Sequence, residues 1–422
     1  MPAIFSGLRF LPPPEDPLFA AFLAALLALL EAFLAPFEAV CETFSPSRHS
    51  DQVLAIEATA SSAWSRLLFW RSFIWCSQSY CPRLRAYPRF PGRQTSLLHG
   101  ARAQVPSRLG DRMRTLVTGG AGFIGSHLVD ALVARGDSVT IVDDLSSGRT
   151  ANLAGALAAG AVLERADIRD AAELARVAVA ARPQVVFHLA AQVDVRVSLA
   201  EPGLDARTNV EGTVNVLEAS RLAGAERVVF ASTGGAIYGE TDVLPTPETV
   251  DALPMAAYGQ SKFCAERYLG LYERLYGLST VALRFGNVYG PRQDPHGEAG
   301  VIAIFCGKLR SGARPRIFGD GTQTRDYIYV GDLVGALLRA GDTRAGGAVN
   351  IGTEEETTVL EIVHVLSELR GAGAPEPEFA PARLGELQRS CLDANRAREV
   401  LGWRATTPMR EGLRLTWDSV GP

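Results

Sequence analysis

From residue 113 onward the sequence predicts an α/β fold, a doubly wound parallel sheet with a smaller C-terminal α/β lobe. Three observations carry this expectation. Short apolar runs alternate with segments of helical period through the middle of the chain. The first run, Leu116-Val117, leads into Gly119, Gly122 and Gly125, after which Phe123, Ile124, Leu128, Leu132 and Val133 recur at helical spacing. The next apolar run ends in an acid, Asp143. Strand, glycine turn, helix and acid-tipped strand together make a dinucleotide-binding unit, whereas a glycine triplet alone would be an ordinary loop.

In chain order, strands are expected near 115–117, 139–142, 162–163, 185–189, 227–231 and 280–284, with helices near 123–134, 171–181, 204–223 and 257–276. This is the Rossmann order, and it sets a dinucleotide-binding domain over 113–286. After Gly286 proline, glycine and arginine become frequent and helices shorten. Strands near 316–318, 327–330 and 348–351 then read as part of a lobe over 287–422 that caps the substrate. Residues 1–112 differ from the rest: they are rich in tryptophan and arginine, lack lysine and show no strand–helix alternation. Their Ala/Leu/Phe run over 18–34 is near the lower limit for a bilayer span, but Glu31 interrupts it and Glu15-Asp16 is the wrong flank for a signal peptide. The expectation is an atypical extension, disordered or upstream of a natural start at Met113; a membrane or partner-binding extension is the competing reading.

Composition narrows the function. The formal net charge of −4 disfavours a nucleic-acid partner. The six cysteines are scattered, and only Cys76 and Cys81 lie close together, with no second pair to complete a metal site. No metal is expected, and reduced thiols imply a cytoplasmic protein. The chain contains two lysines, Lys262 and Lys308, which makes Lys262 conspicuous.

The residue chemistry points to a nicotinamide cofactor. Asp143 ends a strand where a carboxylate accepts hydrogen bonds from adenosine ribose hydroxyls and repels a 2′-phosphate, so NAD is favoured over NADP. Asp167-Ile168 follows the third strand and would flank the adenine, and the helix carrying Asn209 should pass near the cofactor. Tyr258 and Lys262 stand at i and i+4 and share a helix face. A phenol titrates near pH 10, too high for a base at neutral pH. A nearby ammonium and a cationic nicotinamide ring are expected to lower that value. Strand five ends in Ser232-Thr233, and a hydroxyl at the carboxyl end of such a strand points into the ligand crevice. Either one would bond the reacting oxygen of a substrate, the other capping its own turn.

Taken together, TGGAGFIG (118–125), VDDLSSG (142–148), ADI (166–168), FHLAAQ (187–192), ASTGGAIYGE (231–240), YGQSK (258–262), LRFGNVYGPRQ (283–293), GDGTQTRDYI (319–328) and PARLGELQRS (381–390) make the chain from Met113 on resemble the extended short-chain dehydrogenase/reductase family, in its nucleotide-sugar epimerase branch. The resemblance implies NAD-dependent inversion at C4 of a UDP-hexose through a transient 4-keto sugar, in a homodimer. Tyr258 is then the acid/base, Lys262 positions the nicotinamide ribose, and Thr233 completes the triad. The cofactor would also meet Asp144, Ser146, Gly148, Leu189, Ala190 and Ala191. Asn287, Arg325 and Arg383 would hold the diphosphate, Ile317 and Phe318 would line the uracil, and Glu386 would bind the uridine ribose. Ser390 falls at a gate that is bulky where only unacetylated hexoses are taken, which implies room for an N-acetyl group. Besides Ser390, the sequence departs from the pattern in two places. One extra residue between Phe230 and Tyr238 keeps Ser232 open beside Thr233. Val193 stands where some epimerases have a lysine. Gly234-Gly235 follow Thr233 where dehydratases of this fold carry Asp-Glu. Two rival readings remain: UDP-glucuronate decarboxylase chemistry, and a non-catalytic NAD-binding sensor, for which retention of both Tyr258 and Lys262 would be unexpected.

Overall fold

The computed structural model describes residues 112–295, 300–382 and 387–421. The readings made on residues 1–111, on Arg383 and on Glu386 therefore lie outside the described residues. In the rest, strands β1 (Arg114–Thr118), β2 (Ser138–Asp143), β3 (Val162–Arg165), β4 (Val185–His188), β5 (Arg227–Thr233), β6 (Ser279–Phe285) and β11 (Gly347–Ile351) form one sheet in the order β11-β6-β5-β4-β1-β2-β3. Every pairing in it is parallel. Parallel sheets need cover on both faces, and the near-continuous apolar runs supply it: Val185, Val186 and Phe187 of β4 are all buried.

Helix α1 (Phe123–Arg135) crosses from β1 to β2 and ends at Gly136, whose φ of 93° is the left-handed cap expected of glycine. Its Leu128 and Leu132 pack on one sheet face with Leu333 and Leu337 of α9 (Val330–Asp342). On the other face lie α3 (Ala171–Ala181), α6 (Gly212–Leu222) and α7 (Ala257–Tyr276), through Leu174, Val177, Val216, Leu217, Ala265 and Leu269. Each of the leucine and valine side chains among them contributes about 1.5–3 kcal/mol when fully buried. Asp170 caps α3 by accepting from the backbone N–H of Glu173, satisfying one of the donors that a helix start leaves unpaired.

One expectation is corrected. The strand near 348–351, assigned by sequence to the smaller lobe, is β11 and forms the edge of the main sheet beside β6. Its Val349 and Ile351 are fully buried in the core beneath α9, so burial on the sheet outweighs chain proximity to the lobe. The lobe itself consists of the short pairs β7 (Asn287–Tyr289) with β10 (Tyr327–Tyr329), β8 (Arg316–Phe318) with β13 (Glu378–Ala380), and β9 (Thr324–Arg325) with β12 (Thr357–Thr358). They share a separate core with α8 (Val301–Arg310), α10 (Val359–Arg370) and α12 (Met409–Ser419), built on Ile302, Phe305, Ile362, Leu366, Leu413 and Trp417.

Candidate active site

In the main sheet the chain runs outward in opposite directions from β1 and β4, which are neighbours. At such a switch point the connections leave on opposite faces and open a crevice at the carboxyl ends of the strands. The glycine turn occupies that crevice. Gly119 has a φ of 70°, and a Cβ on it would lie 2.6 Å from the backbone nitrogen of Ala190, so only glycine lets the ends of β1 and β4 approach this closely. Leu189 and Ala190 are tied to the turn, donating to the carbonyl (3.1 Å) and hydroxyl (3.3 Å) of Thr118. A Cβ on Gly125 would run into the Gly119 carbonyl, so the third glycine seats the helix on the turn. At the start of α1 no side chain caps the helix and no acid stands in the first turn. The N–H groups of this uncapped start are ready donors to a phosphate.

Asp143 sits beneath this turn. Its Oδ2 accepts from the Ala121 N–H (2.8 Å) and its Oδ1 from that of Leu145 (2.9 Å). Burial pushes the carboxyl above its usual range against the pull of these bonds. Gly148 lies against it, since a Cβ there would be 2.8 Å from Asp143 Oδ1. Asp144 accepts from both the backbone and the hydroxyl of Ser146 and shapes the loop that wraps the turn. A cradle crowded to the point of excluding side chains, an uncapped helix start and a buried acid beside it fit a dinucleotide.

Other expected cofactor residues lie one layer back. The Asp167 carboxylate is engaged by Arg169 at 2.9 and 3.0 Å, and that guanidinium holds it below the usual range. The side chain of Ile168 is buried where a Cβ on Gly212 would meet it. Asn209 is buried in a π-helical turn, Arg207–Glu211, and its amide is committed to protein partners. Its Oδ1 accepts from Gln192 N (2.9 Å), while Nδ2 donates to Gln192 O (2.9 Å), Asp205 Oδ1 (3.0 Å) and Ser261 Oγ (3.1 Å). Asn209 thus clamps the loop after β4, containing Ala191, to α7. His188 reinforces this clamp. Thr213 donates to the Asn209 carbonyl (2.6 Å), so it accepts from His188 Nε2 (3.0 Å), and His188 Nδ1 accepts from Thr118 (2.7 Å). That assigns the neutral Nε2–H tautomer, consistent with burial driving the His188 pKa down to about 3.

On α7, Lys262 is buried and its ammonium donates to the Ala231 carbonyl of β5 (2.9 Å), 4.6 Å from the centre of the Phe230 ring. Desolvation brings its pKa down to about 8, with Asp205 and Glu266 opposing. Gly259 packs against Ala236 O, which brings the first turn of α7, with Tyr258, against the loop that follows Thr233. The lowering expected for the Tyr258 pKa includes the charge of a nicotinamide ring; the protein's own groups pull the other way. Burial first, and Asp205 second, raise it well above that of a free phenol, because the ammonium is turned to Ala231 and a carboxylate faces the pair. Strand alternation separates the two candidate hydroxyls. Ser232 is buried and donates to Glu266 (2.6 Å), whereas Thr233 is half-buried at the carboxyl end of β5.

Residues expected on the substrate side begin at the end of β6. Asn287 opens β7, its side-chain oxygen lying 3.2 Å from where a Gly235 Cβ would be. Arg325, half-buried on β9, donates to the Thr324 carbonyl (2.8 Å). Ile317 and Phe318, both expected along the uracil, differ in setting. Ile317 is buried in the lobe core and alternation sends Phe318 the other way, partly exposed. Ser390 lines a narrow cleft with Gly234, Tyr238, Thr246, Arg389 and Leu392, next to the candidate hydroxyl.

Sequence reasoning missed Glu266, Arg284 and Asp326. Arg284 donates to Glu266 from Nε (3.0 Å) and Nη2 (2.7 Å) and to the Tyr238 hydroxyl (2.8 Å), which donates to Asn350 (2.7 Å). An arginine inside the apolar strand Val281-Ala282-Leu283 was the available signal, since a buried guanidinium requires a partner. Asp326 accepts from Thr353 N, Glu354 N and Leu392 N and fastens the lobe loops over the site.

A doubly wound sheet, a glycine cradle at its switch point and a Tyr–Lys helix beside it define a dinucleotide-dependent enzyme. The chain belongs to the NAD dependent epimerase/dehydratase family, whose sequence profile matches residues 115–352. It is 49% identical over 307 residues to the UDP-glucose 4-epimerase of Mycolicibacterium smegmatis, covering 72% of this chain and 97% of that protein. Its fold is similar to the crystal structure of UDP-glucose 4-epimerase with UDP-glucose from Thermotoga maritima (46% identity, TM-score 0.70, 73% of this chain and 98% of that one). It is also similar to the Thermus thermophilus UDP-glucose 4-epimerase complex with NAD (44% identity, TM-score 0.68, 73% and 98%).

Proposed function

We propose that this protein inverts C4 of a UDP-hexose, interconverting UDP-glucose and UDP-galactose. The carrying observation is the meeting, at one crevice, of the uncapped glycine turn, of Lys262 bonded to Ala231, and of the first turn of α7 against the loop after Thr233. NAD bound there would supply a hydride acceptor and, in its oxidised form, a positive charge. Tyr258 takes the proton of the C4 hydroxyl and later returns it, as general base and then general acid. Thr233 orients the reacting oxygen. Lys262 holds the nicotinamide ribose. Asn287, Arg325 and Arg383 grip the diphosphate while the hexose turns over, which arginine suits because its planar fork matches phosphate oxygens. Phe318 and Glu386 belong to the uridine side in this reading. With UDP-galactose deuterated at C4, the label is expected to be retained at C4 of UDP-glucose; washout into solvent counts against a hydride passed out and back.

Ser390 makes the hexose cleft permissive. Ser390→Tyr is expected to lower turnover of UDP-N-acetylglucosamine at least about tenfold relative to UDP-galactose, as loss of a well-matched cavity does. An unchanged ratio of the two rates removes this part of the proposal.

The assembly proposed is a homodimer through α6 and α7, whose outer faces expose Leu222 (56%), Leu275 (61%) and Tyr276 (53%). Leu222→Arg with Leu275→Arg is expected to halve the mass read by light scattering; an unchanged mass places any interface elsewhere. Among the described residues no helix is long and apolar enough to cross a membrane, and Cys264, Cys306 and Cys391 are free thiols. The free thiols support a cytoplasmic location.

A further inference from the structure

Asp205 stands where the proposed chemistry asks for no carboxylate. It lies in α5 (Pro202–Ala206), one turn before Asn209, and is 1% exposed. Its Oδ1 accepts from Asn209 Nδ2 (3.0 Å), and that same amide donates to Ser261 Oγ (3.1 Å). The Ser261 hydroxyl in turn donates to the Tyr258 carbonyl (2.9 Å). The acid is thereby joined, through two uncharged side chains, to the first turn of the helix that bears Tyr258 and Lys262.

Lys262 explains why a charge belongs there. Its ammonium is buried and donates to Ala231 O, a neutral acceptor. A buried ammonium is costly unless an anion faces it. Glu266, one turn further along α7, is already matched by Arg284 on β6 and bonded by Ser232 on β5. His188, on β4, is neutral at ordinary pH. Asp205 remains, and among the described residues Lys262 is the cation that acts on it.

We propose that Asp205 is a positioning residue of the active site: its carboxylate is the counter-charge that keeps Lys262 protonated, and through Asn209 and Ser261 it fixes the first turn of α7. The proposal rests on the epimerase reading only for its activity readout. The sign follows from the charge. Burial pushes the Asp205 carboxyl up and the Lys262 ammonium pulls it back down; Asp205 in turn raises the Lys262 pKa against the desolvation that brings it to about 8, and it raises that of Tyr258 too. Without it both groups lose their protons at lower pH.

The two-lysine composition makes this measurable on the full chain. Lysine labelled with carbon-13 at Cε gives two resonances, assigned by Lys308→Arg. In Asp205→Asn, which keeps an acceptor for Asn209, the Lys262 resonance is expected to titrate about one pH unit lower than in wild type, and the pH profile of UDP-galactose turnover to move the same way. Asp205→Ser, a second uncharged variant, is expected to shift the titration likewise. Ser261→Ala, which cuts the bridge and keeps the charge, is expected to lose rate with the profile in place. Unmoved Lys262 titration in both Asp205 variants overturns the proposal. A shifted titration in protein inert toward UDP-galactose instead supports the counter-charge and refutes the epimerase reading.

Discussion

Tyr258→Phe is expected to lower kcat for C4 inversion roughly a thousandfold, with KM little changed and bound NAD retained. The phenol stands in the first turn of α7, packed against the loop that follows Thr233, and phenylalanine preserves the ring while removing the hydroxyl. The half-buried ring adds nothing to the glycine cradle, so cofactor content should not move. Burial and Asp205 hold the phenol protonated before ligands bind, so its use as a base requires the positive charge of the oxidised nicotinamide ring nearby. Consequently wild-type turnover should fall as pH drops below the range where the bound phenol ionises. A Tyr258→Phe variant within tenfold of wild type would assign the proton transfer to another group.

Gly125→Val is expected to abolish NAD retention and to destabilise the protein by about 3 kcal/mol, the upper range for overpacking. The first added carbon already runs into the Gly119 carbonyl and stands 2.8 Å from the Gly120 Cα. Both are backbone atoms of the turn that would cradle the pyrophosphate. Relief requires α1 to lift off β1, which opens the buried contacts of Leu128 and Leu132 and misaligns the helix start. Cofactor released on denaturation, measured by chromatography, should be absent from the variant, and its melting temperature should drop. A variant carrying a full complement of NAD would show that the turn is not the cofactor seat.

Much of this architecture was legible because it depends on local patterns. Apolar runs and helical spacing mark β1, α1, β2 and α7 within a residue or two, and Tyr258 and Lys262 declare themselves by sharing a helix face. What escaped depends on contacts between segments distant in the chain. β11 is short and apolar, and nothing local distinguishes a main-sheet edge from a lobe strand; its place is set by burial against β6 and α9. Ile317 and Phe318 look alike in sequence, and only the position of the lobe core separates them. The same holds for Ser232 and Thr233: Glu266, 34 residues away, claims one and leaves the other. The upward pull on the Tyr258 pKa was not legible either, because Asp205 comes from another helix and the neighbouring ammonium turns toward Ala231.

The most direct test of the central claim is proton NMR of the full-length protein incubated with UDP-galactose and no added NAD. The account predicts that UDP-glucose appears and reaches equilibrium over many turnovers, sustained by cofactor carried through purification. UDP-galactose left unchanged by protein that demonstrably holds NAD, with UDP-glucuronate losing carbon dioxide under the same conditions, would contradict it and assign the site to decarboxylation.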